Sequence, residues 1–240
     1  MKSPWKTGGF TLVELLTVIA IIGILAAILI PTTASARMAA KKAKARAQYA
    51  QWGAAIESFR LEYGHYPTFE TSGGGANKVN GNTTGEANLT AVHRFYETLV
   101  GARRDGSSLP DPVFGTPPPP AAQNPRRIAF ITFAEADMVP WNTADPMLIP
   151  HRGKIRDAFD NTDIVVIVDR NLDGSIKTSA SGGDGIMALP VVSPPGGTLQ
   201  LVPDAADFPA GVQGGVRAGV VFYSAPPQAG TAADLLMTWK

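Results

Sequence analysis

The chain has no cysteine and only three histidines in 240 residues. The first absence removes disulfides, thiol nucleophiles and cysteine-based metal sites. The histidines, His65, His93 and His151, are spaced in a way that suggests no site, and surface or packing roles are expected for them. Catalytic signatures are missing as well. There is no G-x-S-x-G, no P-loop, no H-E-x-x-H and no complete G-x-G-x-x-G. Ser3 and Lys6 fit S-x-x-K only by chance, and acids such as Asp157 and Asp160 read as loop carboxylates. A non-enzymatic role is expected. Net charge is also nearly absent, with 21 basic and 20 acidic residues giving +1. Residues 64–240 carry 13 basic and 17 acidic side chains, a net of −4. Nothing in that balance is a nucleic-acid footprint, and no nucleic-acid partner is expected.

Charge is scarcest where the chain is most apolar. Between Lys6 and Arg37 the only charged residue is Glu14. Phe10 to Ile30 is a run of 21 residues without proline. A helix rises about 1.5 Å per residue, so the run can cross a hydrocarbon core roughly 30 Å thick. A charge at the centre of such a span costs on the order of 2.5–3.5 kcal/mol, and less near an end. A carboxylate there needs a partner. Two plainer readings compete. One is a secretory signal peptide cut at Ala34-Ser35-Ala36, leaving a soluble protein that begins at Arg37. Its apolar core would be longer than the usual 7–15 residues or so, and would contain Glu14. The other is a plain membrane anchor with an incidental glutamate.

Gly9-Phe10-Thr11-Leu12-Val13-Glu14, followed by the apolar run, resembles the processing site of type IV prepilins and type II secretion pseudopilins. The resemblance implies that residues 1–9 are a leader, that a prepilin peptidase cuts after Gly9, and that Phe10 is N-methylated. It implies that Glu14 neutralises the new N-terminal amine of a neighbouring subunit in a homo-oligomeric filament. An inner-membrane assembly platform and minor pilins would be the further partners. It places residues 1–9 in the bacterial cytoplasm, residues 10–30 across the inner membrane in a single pass, and the head in the periplasm. The head would then join a periplasmic pseudopilus or a surface filament. The cluster Arg37, Lys41, Lys42, Lys44 and Arg46 opposes that orientation under the positive-inside rule. It could meet anionic headgroups, pair with acids of a neighbouring subunit, or be a solvated helix face.

The expected fold class is α+β and type IV pilin-like. One long helix over residues 10–63 should pack its second half on a small antiparallel sheet in a loop-rich head, residues 64–240. Pro31 is expected to bend the helix. Tyr49, Trp52, Ile56, Phe59 and Tyr63 recur at spacings of 3 and 4 and form one apolar stripe for core packing. Gly64 should end the helix. Gly64-His65-Tyr66-Pro67-Thr68 resembles the G-x-Y-P-T helix exit of major pseudopilins. Asn88 is a candidate cap for a short helix through Leu99. Prolines 117–120 should form a short stiff element. Strands are expected at Ile128–Phe133, 164–168, 186–192, 199–202 and Val216–Tyr223.

Asp169-Arg170-Asn171-Leu172-Asp173-Gly174-Ser175-Ile176 matches the opening of a calcium loop. Asp169, Asn171 and Asp173 would offer side-chain oxygens and Ser175 its carbonyl. The twelfth position is Ala180 rather than an acid, so Asp184, Asp157, Asp160 or Asp163 would have to substitute. A plain turn after the strand fits the same residues. Asp157 and Asn161 match a degenerate form of the D-P-W-G-N-P-Y segment of major pseudopilins, with Phe159 in the tryptophan's place. Val221-Phe222-Tyr223-Ser224 and Asp234 to Trp239 resemble that family's C-terminus. The acids of its calcium loop are missing from 225–233, APPQAGTAA. An alternative role is a minor pilin or tip adhesin that binds through loops 69–88 and 101–127.

Overall fold

The computed structural model describes residues 10–69, 78–81, 92–111, 118–146, 148–177, 184, 189–204, 206–208 and 215–240. Contacts divide the chain into two units, Met1–Ala43 and Lys44–Lys240. Helix α1, Leu12–Tyr63, is continuous over 52 residues and supplies both. Its helical assignment runs through Pro31 without interruption. From Leu12 to Ile30 α1 is apolar all round apart from Glu14. Large side chains from Leu12 to Ile30 are exposed on every side, as a lipid-facing or bundle-forming helix requires. The hydroxyls of Thr32, Thr33 and Ser35 donate back to carbonyls one turn earlier, at Leu29, Ile30 and Thr32.

In the second unit the apolar stripe of α1 builds the core. Tyr49, Trp52, Ile56 and Phe59 are buried, while Tyr63 is half-buried at the helix end. Gly64 takes φ 77° and donates its N–H to the Arg60 carbonyl at 2.7 Å, which ends α1 as the sequence predicts. The exit is then pinned twice. The Tyr66 hydroxyl donates to Glu57 Oε1 at 2.6 Å, and the Thr68 amide donates to Gln123 Oε1 at 2.6 Å.

The sheet has three antiparallel strands in the order β1 (Ile164–Val168), β2 (Val220–Ser224), β3 (Leu236–Met237). Ile164 pairs with Ser224 and Val168 with Val220, while Tyr223 pairs with Met237. All five residues of β1 are buried. The reason is that both faces of the sheet are covered. Phe222 faces α1, stacking on Tyr49 with ring centroids 5.4 Å apart and meeting Trp52 edge-on at 5.8 Å. Val165, Ile167, Val221 and Tyr223 point the other way, as strand alternation dictates. They join Ile176, Val192, Leu201 and Phe208 in a second apolar cluster. A continuous apolar run such as IVVIV is what a strand buried on both faces needs.

Helix α2, Arg94–Val100, starts later than expected, and its cap is His93. Asn88 lies outside the described residues. Burial holds the His93 imidazole well below its usual range, at about 3, helped by the nearby Arg104. The neutral ring accepts the Tyr96 N–H at Nδ1 and stands 3.0 Å from Asn80 Oδ1 through Nε2. Gly101 closes α2 at φ 73°, where a Cβ would run into the backbone of Arg127. The short α3, Pro120–Gln123, follows an extended Pro119.

Four strand expectations need correction. Ile128–Phe133 is not a strand. Arg127 enters it at φ 53°, and its cross-link to the rest of the backbone is the Phe130 N–H on the Leu99 carbonyl. Its aromatics instead pack on the helices, Phe130 against Phe59 and Phe133 against Trp52 and Phe95. Of 186–192 and 199–202, the described parts form one antiparallel bridge, Val192 with Leu201. Val216 bridges Ile176, and the chain then bends, so the last long strand starts at Val220. The cause is close packing at Gly219, where a Cβ would collide with the Tyr66 hydroxyl and Glu57 Oε1.

Candidate functional site

The first site is the start of α1. Gly9 lies outside the described residues. Phe10 is highly exposed, at 81%. Thr11 precedes the helix and Glu14 sits in its first turn, an arrangement of the form T-x-x-E. The two residues close a capping box. The Thr11 amide and hydroxyl donate to Glu14 Oε2 at 2.8 and 2.7 Å, and the Glu14 amide donates to Thr11 Oγ1 at 3.2 Å. Two orphan amides at the helix start are thereby satisfied. The carboxylate also lies at the positive end of the helix dipole. Sequence reasoning treated Glu14 as a lone charge in search of a partner and missed Thr11. The signal was available, because a threonine three residues before a glutamate at the head of an apolar run is a helix-start signature. Both Thr11 bonds fall on Oε2. Among the described residues Oε1 accepts nothing, so it is open to a donor from outside the chain.

The second constellation is buried in the head. Asp157 Oδ2 accepts the Tyr49 hydroxyl at 3.0 Å and the Ser224 hydroxyl at 2.8 Å, and Tyr49 also reaches Ser224 Oγ at 2.7 Å. Asp157 Oδ1 accepts the amides of Phe159 and Asn161 at 2.8 and 3.0 Å. The Asn161 side chain donates to the carbonyls of Ala225 and Ser193 at 2.9 and 3.2 Å. The positive φ of Asp160, 63°, lets the loop turn back on Asp157. Tyr49, Asp157, Phe159, Asn161 and Ser224 are all buried. Burial pushes the Asp157 carboxyl up, against the pull of the hydroxyls and amides it accepts. Asp157 and Asn161 lie in one candidate segment and Ser224 in another, and the fold brings them to one point. Tyr49 was read only as core, and its hydroxyl is the member that sequence did not reveal. The arrangement ties α1, the loop before β1, and the end of β2.

The third is the loop after β1. Asp169 accepts the amides of Asp173 and Gly174 at 3.3 and 2.8 Å. Asn171 Oδ1 accepts the Asp173 amide at 3.0 Å, and Asp173 Oδ1 accepts the Ser175 amide at 2.9 Å. Leu172 and Gly174 both take positive φ, 60° and 83°. Ala180 is outside the described residues. Asp184 is the acid that packs on this loop, taking the amides of Arg170 and Lys177 at 2.9 and 2.6 Å. The other candidates are engaged elsewhere: Asp157 in the knot, Asp160 with Arg156 and Asp163 with Lys78. Lys177 Nζ lies 2.6 Å from Asp173 Oδ2. That bond, with the Ser175 hydroxyl, holds the Asp173 carboxyl down at about 2. Asp169 is raised by burial and by the charges of Asp184 and Asp173. Among the described residues no three carboxylate or imidazole groups are arranged to hold a metal. The donors are hard oxygens suited to calcium, but an ammonium already covers one of them.

Residues 6–30 match the family model described as prokaryotic N-terminal methylation motif. The chain is also similar to the type II secretion system core protein G of Escherichia coli (strain K12). The two are 37% identical over 68 residues, which is 28% of this chain and 47% of the relative. The chain thus spans about half the length of the curated relative it matches. No solved structure matches it.

Proposed function

We propose that the chain is a structural subunit of a type II secretion pseudopilus or type IV pilus filament. One observation carries the reading. The methylation-motif match spans residues 6–30 and takes in the apolar part of α1, whose large side chains are exposed on every side, and the first turn holds the one acid of that part with an oxygen to spare. In this reading the subunit waits in the inner membrane with residues 1–9 in the cytoplasm and its head in the periplasm. Prepilin peptidase cuts after Gly9 and the new amine of Phe10 is methylated. An assembly platform lifts the subunit into a bundle of α1 helices, together with minor pilins. Residues 10–30 exchange lipid contacts for contacts with other copies. Glu14 Oε1 receives the amine of a neighbour, which sets the register, because an unpaired carboxylate in such a bundle is expensive.

Mass spectrometry of the mature protein from its native host tests this. The expected N-terminus is N-methyl-Phe10. A chain that keeps residues 1–9, or one that starts at Arg37, overturns the reading.

Calcium at the loop after β1 belongs to the same proposal. Asp169, Asn171, Asp173 and the Ser175 carbonyl would hold the ion, with Asp184 in place of the acid absent at Ala180. Supporting it are the all-oxygen donor set and the turn at Gly174. The ion has to displace Lys177 from Asp173. Thermal melts with and without calcium should therefore show a rise in Tm that is larger in Lys177→Met. No shift in either protein at millimolar calcium removes the site.

A further inference from the structure

We infer that the basic stretch of α1 just after the apolar run is a docking surface for the head of a second copy of this chain. The inference rests on the filament reading above. Arg37, Lys41, Lys42, Lys44 and Arg46 are all exposed. None forms an ion pair or a side-chain hydrogen bond among the described residues. Helical spacing sorts them onto two flanks. Arg37, Lys41 and Lys44 lie on one side, and Lys42 and Arg46 on the other, each roughly 100° from a common stripe at 100° per residue. That stripe is Ala36, Ala40, Ala43 and Ala47, also exposed. Small side chains there let another surface approach closely, while long cations on both sides reach round it.

The occupant is fixed by charge. Two such stretches laid side by side would bring like charges together, which disfavours a seam of belt on belt. The rest of the chain is the complement, because residues 64–240 carry a net of −4. The matching surface is the turn Glu135–Asp137. Glu135 is exposed and has no side-chain partner among the described residues, and Asp137 accepts only the Gln48 amide, at 2.6 Å. Gln48 places this acidic turn beside α1, two residues past Arg46. Copies stacked with an axial stagger would set the acidic turn of one against the belt of the next. Axial stagger of that kind is what a helical filament supplies. Lipid headgroups fit less well. Arg46 lies 16 residues beyond Ile30, about 24 Å along the helix, whereas the headgroup layer is only about 5–7 Å deep.

The absence of native cysteine makes the test clean. Full-length copies bearing Lys41→Cys and Glu135→Cys are co-expressed with the assembly machinery, after the wild-type chain has been scored for processing at Gly9 and for filaments. Mild oxidation should give mixed dimers in the filament fraction. Separately, Lys41→Glu with Lys44→Glu should lower filament yield about tenfold, and adding Glu135→Lys with Asp137→Lys should restore it. Self-linked Lys41→Cys dimers without mixed ones overturn the inference, as does a charge swap without rescue. Reversed variants that assemble normally but lose binding to phosphatidylglycerol vesicles would assign the belt to lipid instead. A processed wild-type chain that never forms filaments defeats the filament reading itself, which is a separate result.

Discussion

Glu14→Gln should be cut after Gly9, inserted in the membrane and fully helical, yet form no filaments. The substitution separates the two jobs of one side chain. Glutamine can replace glutamate in a capping box, so the bonds to Thr11 survive. What it removes is charge. An opposite charge about 4 Å away is worth about 4 kcal/mol at an effective dielectric of 20, before desolvation is subtracted. Glu14→Ala removes both functions, but the cap itself contributes only about 1 kcal/mol. That is too little to unravel a helix of 52 residues. Both variants should therefore fail at the same step. Sedimentable filament, electron microscopy and the mass of the mature N-terminus read the three stages independently. Filaments from Glu14→Gln at the wild-type level would show that the cap, not the charge, is what the position supplies.

The head has its own large effect. Asp157→Ala should destabilise it by about 3 kcal/mol or more, whereas Asp157→Asn should cost much less. Alanine strands two buried amides and the Ser224 hydroxyl proton, leaving Tyr49 only its bond to Ser224 Oγ, and each unsatisfied group costs on the order of 1–3 kcal/mol. Asparagine keeps one acceptor for the amides of Phe159 and Asn161 and turns a donor toward Tyr49 and Ser224. Those hydroxyls can accept it. The pH dependence adds a signature. Burial raises the folded carboxyl above its unfolded value of about 3.9, so the protonated form is favoured in the fold. Stability from this group is fully present below the unfolded value and is lost as pH rises through the folded one. Relative to Asp157→Asn, the wild type should therefore gain stability on acidification toward pH 4. Denaturant melts of both proteins across that range decide it. A flat difference would mean that the carboxyl is not perturbed by the knot.

The local parts of the fold were legible in the sequence, and the long-range parts were not. The stripe from Tyr49 to Tyr63 and the stop at Gly64 follow from spacing and backbone freedom alone. β1 could be read because burial on both faces leaves an unbroken apolar run. Ile128–Phe133 has the same apolar character and is no strand, because its aromatics found partners on α1 and α2 before any backbone did. The start of β2 was placed four residues early. What fixes it is the close approach of Tyr66 and Glu57 to Gly219, a contact between residues more than 150 positions apart. The N-terminal site was the most legible, since the motif and the acid are adjacent in sequence. Its capping partner Thr11 is equally local, a threonine three residues ahead of the glutamate at the head of the helix. The Asp157 knot could be guessed only in pieces, since three separate stretches of chain meet there.

The joint between Tyr49, Asp157 and Ser224 also has a mechanical meaning. Part of any pull or push delivered along the buried half of α1 passes into the sheet through that joint and through the stacked rings of Tyr49 and Phe222 beside it. Hydrogen bonds clustered at one point share a shear load and yield together. Side-by-side rings can slide a little without separating. The sheet is thus coupled to the buried half of α1 by a stiff pin set in a compliant bearing.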